Sequence, residues 1–396
     1  MKYSVAVPGT FHAFDVASEL YEKEKLDTIY SFSDFLRILK WKKKVPFSNI
    51  YFFKLPLIKR GRMIRIDGDK KFAKLIKNDN SDVIIGFPNI SQEIFQNNKS
   101  KIKVLDIDHF NWDKDVVEVL KDEEYSYFYK TPVNPKNTIM QKNELEEEYK
   151  IRNIDFSLDI NMFKNEPIEC ELADVVMVPI SYVKETLVKA GYPENKILVN
   201  HYGYDANIFY PSKNKKFKKT ILYGGTIGIR KGWYYLKEIL KYFDGSNINF
   251  IIAGGIEGVI KDDVETFFKE SKSNINYIGS VSQKELAYYM RNVNLFLFPS
   301  VFEGFGMTVL QSMASGTPVI ASKATCGVDL ITNGNNGYVF DKKDISSWIL
   351  QIENIIDDKD TLETMGVNAF NTVKNITWSN YVDNLDKFIK RSIVNT

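Results

Sequence analysis

Two cysteines, Cys170 and Cys326, are all that the 396 residues contain. That scarcity excludes a disulfide framework and a cysteine-spaced metal site, and it fits a reducing cytosol. No apolar run approaches the length of a membrane span. Met1 leads straight into a strand pattern, so no secretory leader is expected. Internal repeats and low-complexity tracts are absent, and 44% hydrophobic with 26% charged residues is the balance of a globular chain. One absence is local. Positions 35–66 hold ten Lys or Arg and no Asp or Glu, although over the whole chain 53 basic residues nearly match 51 acidic ones.

What is present is an alternation of short apolar runs and helical patterns, in a chain long enough for two domains. Lys2–Val7, Asp82–Phe87, Lys103–Ile107, Asp174–Pro179 and Lys196–Val199 read as buried strands. The polar, basic stretch Pro211–Lys219 reads as a linker. Beyond it Thr220–Tyr223, Asn247–Ile252, Asn276–Ile278, Leu295–Phe298 and Thr317–Ala321 read as further strands. Such alternation predicts α/β architecture, with parallel sheets covered on both faces by helices.

The stretch Asn294–Ser322 concentrates the chemistry. Leu295–Phe298 is a strand, Val301–Gly306 a glycine-bearing loop, and Met307–Ser315 a helix with Met307, Leu310, Met313 and Ala314 on its apolar stripe. The first amides of a helix lack internal partners and sit at the positive end of its dipole. Gly304 and Gly306 let a ligand approach the main chain, so the amides of Gly306, Met307 and Thr308 predict a phosphate site. Glu303 lies just before it, where a carboxylate would grip hydroxyl groups, and Gln311 follows within the helix. Spacing alone fits an ordinary βαβ unit equally well. A second glycine-rich turn, Gly224–Gly232, carries adjacent Arg230 and Lys231. A planar fork beside a point charge suits a diphosphate. The alternative is two solvated cations, but positive charge is unfavourable at a helix N-terminus, and a bound anion would account for it.

Glu303, Phe305 and Gly306, followed by Gln311, resemble the signature of family-4 glycosyltransferases of the GT-B fold, in which two Glu with seven residues between them flank a Phe-Gly pair. The second Glu, which in the family holds ribose hydroxyls, is Gln311 here. Lys231-Gly232 matches the family's phosphate-binding Lys-Gly, whereas its usual Arg, five positions before the Lys, is Thr226. The resemblance implies two Rossmann-like domains facing a central cleft: 1–205, a linker at 206–219, a nucleotide-sugar domain at 220–375, and a last helix at 376–396 that crosses back to the first domain, with Trp378 as packing anchor. It implies Gly255 and Val281 near the nucleotide and Gly9 in a glycine loop facing the cleft. Gly203-Tyr204-Asp205 matches the family's Gly-Val-Asp except for its Tyr, and a turn carboxylate is the main reading of Asp205. The activity implied is a retaining, metal-independent hexosyl transfer from a nucleotide-diphosphate-sugar. No cofactor is expected, and Asp106-Ile107-Asp108 does not make a convincing metal pair.

In the first half, His109 follows a buried strand, at the edge where open α/β sheets take ligands, and is expected to meet the sugar or its phosphate. His12, in the Gly9 turn, reads rather as a capping or packing residue. The acid-free stretch 35–66, with Phe32, Phe35, Leu36 and Leu39 at helical spacing and Trp41 among its lysines, suits an anionic membrane surface or an acidic acceptor. No nucleic-acid motif accompanies it. The acceptor expected is a glycan, a lipid-linked or a cell-envelope molecule. Two other activities remain open: a non-catalytic nucleotide-sugar-binding subunit, which Gln311 and Thr226 favour, and a GT-B epimerase, which needs no acceptor.

Overall fold

The computed structural model describes residues 1–8, 12–31, 45–52, 63–88, 90–107, 166–213, 215–272 and 274–394. They fall into two compact units. The first comprises the described residues within Met1–Asn111, Leu158–Gly203 and Ile376–Thr396, and the second those within Tyr204–Asn375.

The first unit is built on seven parallel strands: β1 (Tyr3–Val7), β2 (Leu26–Ser31), β3 (Ile50–Phe52), β4 (Val83–Gly86), β5 (Ile102–Asp106), β6 (Val175–Val178) and β7 (Ile197–Val199). Their order is β3-β2-β1-β4-β5-β6-β7. β1 and β4 are buried along their whole length, which explains why they read as continuous apolar runs rather than alternating ones. β2 and β3 add two strands that the apolar pattern does not show. β3 lies inside the acid-free stretch, so Ile50–Phe52 pairs with β2 at the sheet edge instead of continuing an amphipathic helix. Two acids near β6 are structural. Glu169 is buried and accepts from the amides of Ser91 (2.7 Å) and Gln92 (3.1 Å), capping the helix Ser91–Asn97, and Asp174 accepts from the Lys103 amide at 2.8 Å. The last helix, Trp378–Val394, packs on this sheet's first helix, Ala13–Glu22. Tyr3 donates to Asp386 at 2.7 Å, Lys25 pairs with the same carboxylate at 3.1 Å, and Lys23 pairs with Asp383 at 2.9 Å.

The second unit has six parallel strands: β8 (Thr220–Gly224), β9 (Asn249–Ala253), β10 (Asn274–Gly279), β11 (Leu295–Phe298), β12 (Val319–Ser322) and β13 (Gly337–Phe340). They lie in the order β10-β9-β8-β11-β12-β13. The chain starts in the middle at β8, winds outward through β9 and β10, then returns to pair β11 with β8, Leu295 opposite Ile221. Strand order therefore reverses between β8 and β11, and the carboxyl ends of two such strands are where an open α/β sheet forms its crevice. Fully buried Trp233 and Trp348 anchor the layers, their indole N–H groups satisfied by Asp263 (2.7 Å) and the Asp341 carbonyl (2.9 Å). Pro211–Lys219 is pinned to this unit: Asn294 accepts from the amides of Lys218 and Thr220 at 3.0 and 3.1 Å, and Phe217 packs on the core.

Candidate functional site

The two loops that leave β8 and β11 carry the residues the sequence singles out, and the fold brings them together at the strand-order reversal. Lys231 Nζ lies 2.5 Å from Glu303 Oε1, and Arg230 reaches Glu303 Oε2 at 3.3 Å. The loops are laced by main-chain bonds: the Val301 amide donates to the Arg230 carbonyl at 2.8 Å, and Ser300 Oγ is 3.1 Å from the same oxygen. Gly232 opens the helix Trp233–Tyr242 at φ +78°. A Cβ there would fall 1.9 Å from the Pro299 carbonyl, so only glycine lets the loops close this far. Tyr223, fully buried at the end of β8, draws its own loop shut by donating to the Thr226 carbonyl at 2.9 Å. Burial raises the pKa of that phenol, keeping it a donor.

Glu303, the residue expected to grip sugar hydroxyl groups, has its carboxylate held by both cations and by Ser300 Oγ, which donates to Oε1 at 2.7 Å. Burial alone would raise its pKa, but the charges of Lys231 and Arg230 with these hydrogen bonds prevail and hold it below the usual range. The Lys231 ammonium is pressed downward, by burial first and then by Arg230, against the pull of Glu303. Lys231 also lies over the Phe298 ring, 5.5 Å from its centroid. Its side chain is 16% exposed against 43% for Arg230, so the lysine lies in the floor and the arginine at the open side. Glu257, whose pKa burial raises, faces the same cations from the loop after β9.

The helix Met307–Ala314 begins beside this cluster. Gly306 stands at its N-cap at φ +94°, and no side chain caps it. Thr308 Oγ1 is buried without a hydrogen-bond partner, Gln311 is buried, and Phe305 is buried with its carbonyl taken by the Cys326 amide at 2.6 Å. Gly304 is half-buried in the loop between Glu303 and Phe305. The other expected donor residues lie further along the same sheet edge. Thr226 is exposed, the Gly255 carbonyl accepts from the Ile227 amide at 2.7 Å, and the Gly254 amide reaches the Gly279 carbonyl at 2.8 Å, two residues before Val281. Among the described residues no group of His, Cys, Asp and Glu is arranged to hold a metal, and no helix is long and apolar enough to cross a membrane.

Gly9, His109, Asp108 and most of the 35–66 stretch fall outside the described residues. The first unit does place His12, which donates no cap to its helix. It lies 2.9 Å from Asp106 Oδ2, parallel to Trp378 and 4.2 Å from the Tyr202 ring. Tyr381 donates to the same Oδ2 at 2.8 Å, while Asp106 Oδ1 is buried and unpaired. Asp205 accepts from the Asn207 amide at 2.9 Å, a turn carboxylate as expected. Sequence reasoning missed Ser300, Phe298 and Glu257. The first two sit in the motif's own strand and loop but have side-chain roles no spacing discloses. Gly228 was the one signal for Glu257, since a Cβ there would strike that carboxylate at 2.1 Å.

Residues 206–372 match the family model described as glycosyl transferases group 1. Among curated proteins, the chain is 28% identical over 240 residues to the capsular polysaccharide biosynthesis glycosyltransferase CapM of Staphylococcus aureus, covering 55% of this chain and 63% of that one. It is 26% identical over 221 residues to the sulfoquinovosyl transferase SQD2 of Arabidopsis thaliana, covering 52% and 42%. The matched segment thus spans about half the length of these relatives. Among solved structures, HepE of Anabaena in complex with UDP and glucose superposes with a TM-score of 0.66 at 14% identity, covering 99% of this chain and 100% of that one. At that identity the likeness shows the fold, which is GT-B.

Proposed function

Given a group 1 glycosyl transferase segment on a GT-B fold, we propose that the protein is a retaining glycosyltransferase that moves a hexose from a nucleotide-diphosphate-sugar to a glycan, lipid-linked or cell-envelope acceptor. The observation that carries this reading is the convergence of Arg230, Lys231 and Glu303 at the β8/β11 reversal, beside the uncapped start of the helix Met307–Ala314.

As the anomeric carbon–oxygen bond breaks, negative charge grows on the departing diphosphate. Two cations and a helix N-terminus, fixed before the reaction, stabilise that charge without reorganising. Glu303 keeps them in place and lowers the charge of the empty site. Its Oε1 is occupied by Lys231 and Ser300, whereas Oε2 has only the longer bond to Arg230. Oε2 thus keeps capacity for a donor-sugar hydroxyl. The buried Thr308 hydroxyl, without a partner among the described residues, and the nearby Gln311 side chain are the groups this reading assigns to the nucleotide. The acceptor hydroxyl attacks from the face the diphosphate leaves, which retains configuration, and gives its proton to the departing phosphate oxygen; no metal takes part. HepE was solved with UDP and glucose, which supports the reading that this chain's donor is of the same chemical class.

A panel of nucleotide-sugars tested by thermal shift, then by turnover with and without acceptor, examines the proposal. A matching donor raises the melting temperature by mass action, and the sugar moves with retention when acceptor is added. Isomerisation of donor alone would favour an epimerase, and binding without turnover a non-catalytic subunit. Lys231→Ala should lower turnover about 100-fold or more, the usual loss on removing one such stabilising group.

A further inference from the structure

A second site lies at the other end of the same helix. Met307–Ala314 is eight residues long, roughly 12 Å at the α-helical rise. Past its C-terminus, Gly316 borders a cavity of about 430 Å³ between the Pro211–Phe217 stretch and the helix Lys359–Val373. That volume is in the range of small-molecule sites. Phe217, Leu362 and Phe370 make its wall apolar. The charged groups facing it are Lys213, Lys215, Lys359 and one carboxylate, Glu363. Lys359 and Glu363 form a half-exposed pair at 3.6 Å. Among the described residues Lys215 makes no ion pair: Nζ reaches the Gly316 carbonyl at 3.2 Å and Thr317 Oγ1 at 2.5 Å, both neutral, and it feels the Glu363 charge only from beyond ion-pair distance. A desolvated ammonium beside neutral acceptors is unfavourable until an anion joins it.

We propose that this cavity binds a small organic anion, a phosphate or carboxylate group on a compact apolar body, with Lys215 as its ion-pair partner and Lys213 at the mouth. Nothing in this depends on the glycosyltransferase reading. Burial lowers the Lys215 pKa to about 7, with the charge of Glu363 acting the other way. Near neutrality the free lysine is thus only partly protonated, and an anion arriving beside it should draw a proton in from solution.

Sulfate is a suitable probe, because it does not itself titrate near neutral pH. The Lys231→Met/Glu303→Gln protein serves as background, so that the clamp between β8 and β11 does not compete. Calorimetry at pH 7 in two buffers of different ionisation heat should show one saturable site with net proton uptake. Lys215→Met in that background should weaken sulfate at least tenfold and abolish the uptake. Lys213→Gln, a change at an exposed position, should weaken it severalfold and keep the uptake, which preserves the test if Lys215→Met fails to fold. Two results would each overturn the proposal: no saturable binding, or binding indifferent to both lysines.

Discussion

Replacing Lys231 by methionine leaves Glu303 in place with one of its two cations gone. The carboxylate side chain is only 8% exposed and cannot turn to water for compensation. Removing one partner of a buried pair costs about 3–5 kcal/mol, because the other charge stays desolvated. Arg230 at 3.3 Å and Ser300 at 2.7 Å remain, so the lower end applies, about 3 kcal/mol. In a domain of this size each kcal/mol lowers the melting temperature by about 2–4 °C, giving a fall of about 6–12 °C. Adding Glu303→Gln removes the stranded charge and keeps an acceptor for Ser300, so the double variant should recover to within about 1 kcal/mol of the parent. Urea unfolding followed by the buried Trp233 and Trp348 measures all three proteins. Acidity supplies a second check. Glu303 has a depressed pKa in the folded parent, so its contribution is complete above the ordinary glutamate value of 4.5 and is lost as pH falls through the folded value. The deficit of Lys231→Met should therefore shrink below pH 4.5. A single variant as stable as the parent, or a double variant no better than the single, would refute the account of Glu303 as a buried charge held by the clamp.

Gly232→Ala combines a left-handed backbone with a Cβ at 1.9 Å from the Pro299 carbonyl, and should cost about 2–5 kcal/mol and most of the turnover; unfolding curves and steady-state rates report it. Tyr381→Phe removes one of two donors to buried Asp106, whose Oδ1 is already unpaired, and should cost about 1–3 kcal/mol, read by urea unfolding. If the acid-free stretch 35–66 meets a membrane, binding to anionic vesicles should weaken steadily with salt in a sedimentation assay, since exposed charges are screened over about 10 Å at 0.1 M; equal binding to neutral vesicles would contradict that contact.

Strands buried on both faces, such as Leu295–Phe298, were plain in the sequence because nothing polar interrupts them. β2 was hidden because Asp27 and Thr28 break its pattern, and β3 because three residues inside a basic run carry too little signal. Arg230, Lys231 and Glu303 were legible as charges next to glycines. Their mutual distance was not, because it depends on the crossover that seats β11 against β8. The hold on Glu303 depends in turn on Ser300 and on the bonds from Val301 to Arg230, contacts between segments about seventy residues apart. The Lys215 cavity was invisible for the same reason: Pro211–Lys219 looks like a solvated connector until Phe217 and Asn294 are seen to pin it.

The helix Trp378–Val394 belongs with residues more than 350 positions earlier, through Asp386 to Tyr3 and Asp383 to Lys23. On the ribosome the front unit therefore waits for its last piece while the whole of the rear unit is made, a delay of roughly 10–35 s at ordinary elongation rates. The later-born unit can close first. A stop codon or bulky fusion within the helix Trp378–Val394 should injure the amino-terminal sheet before it touches the Lys231–Glu303 cluster.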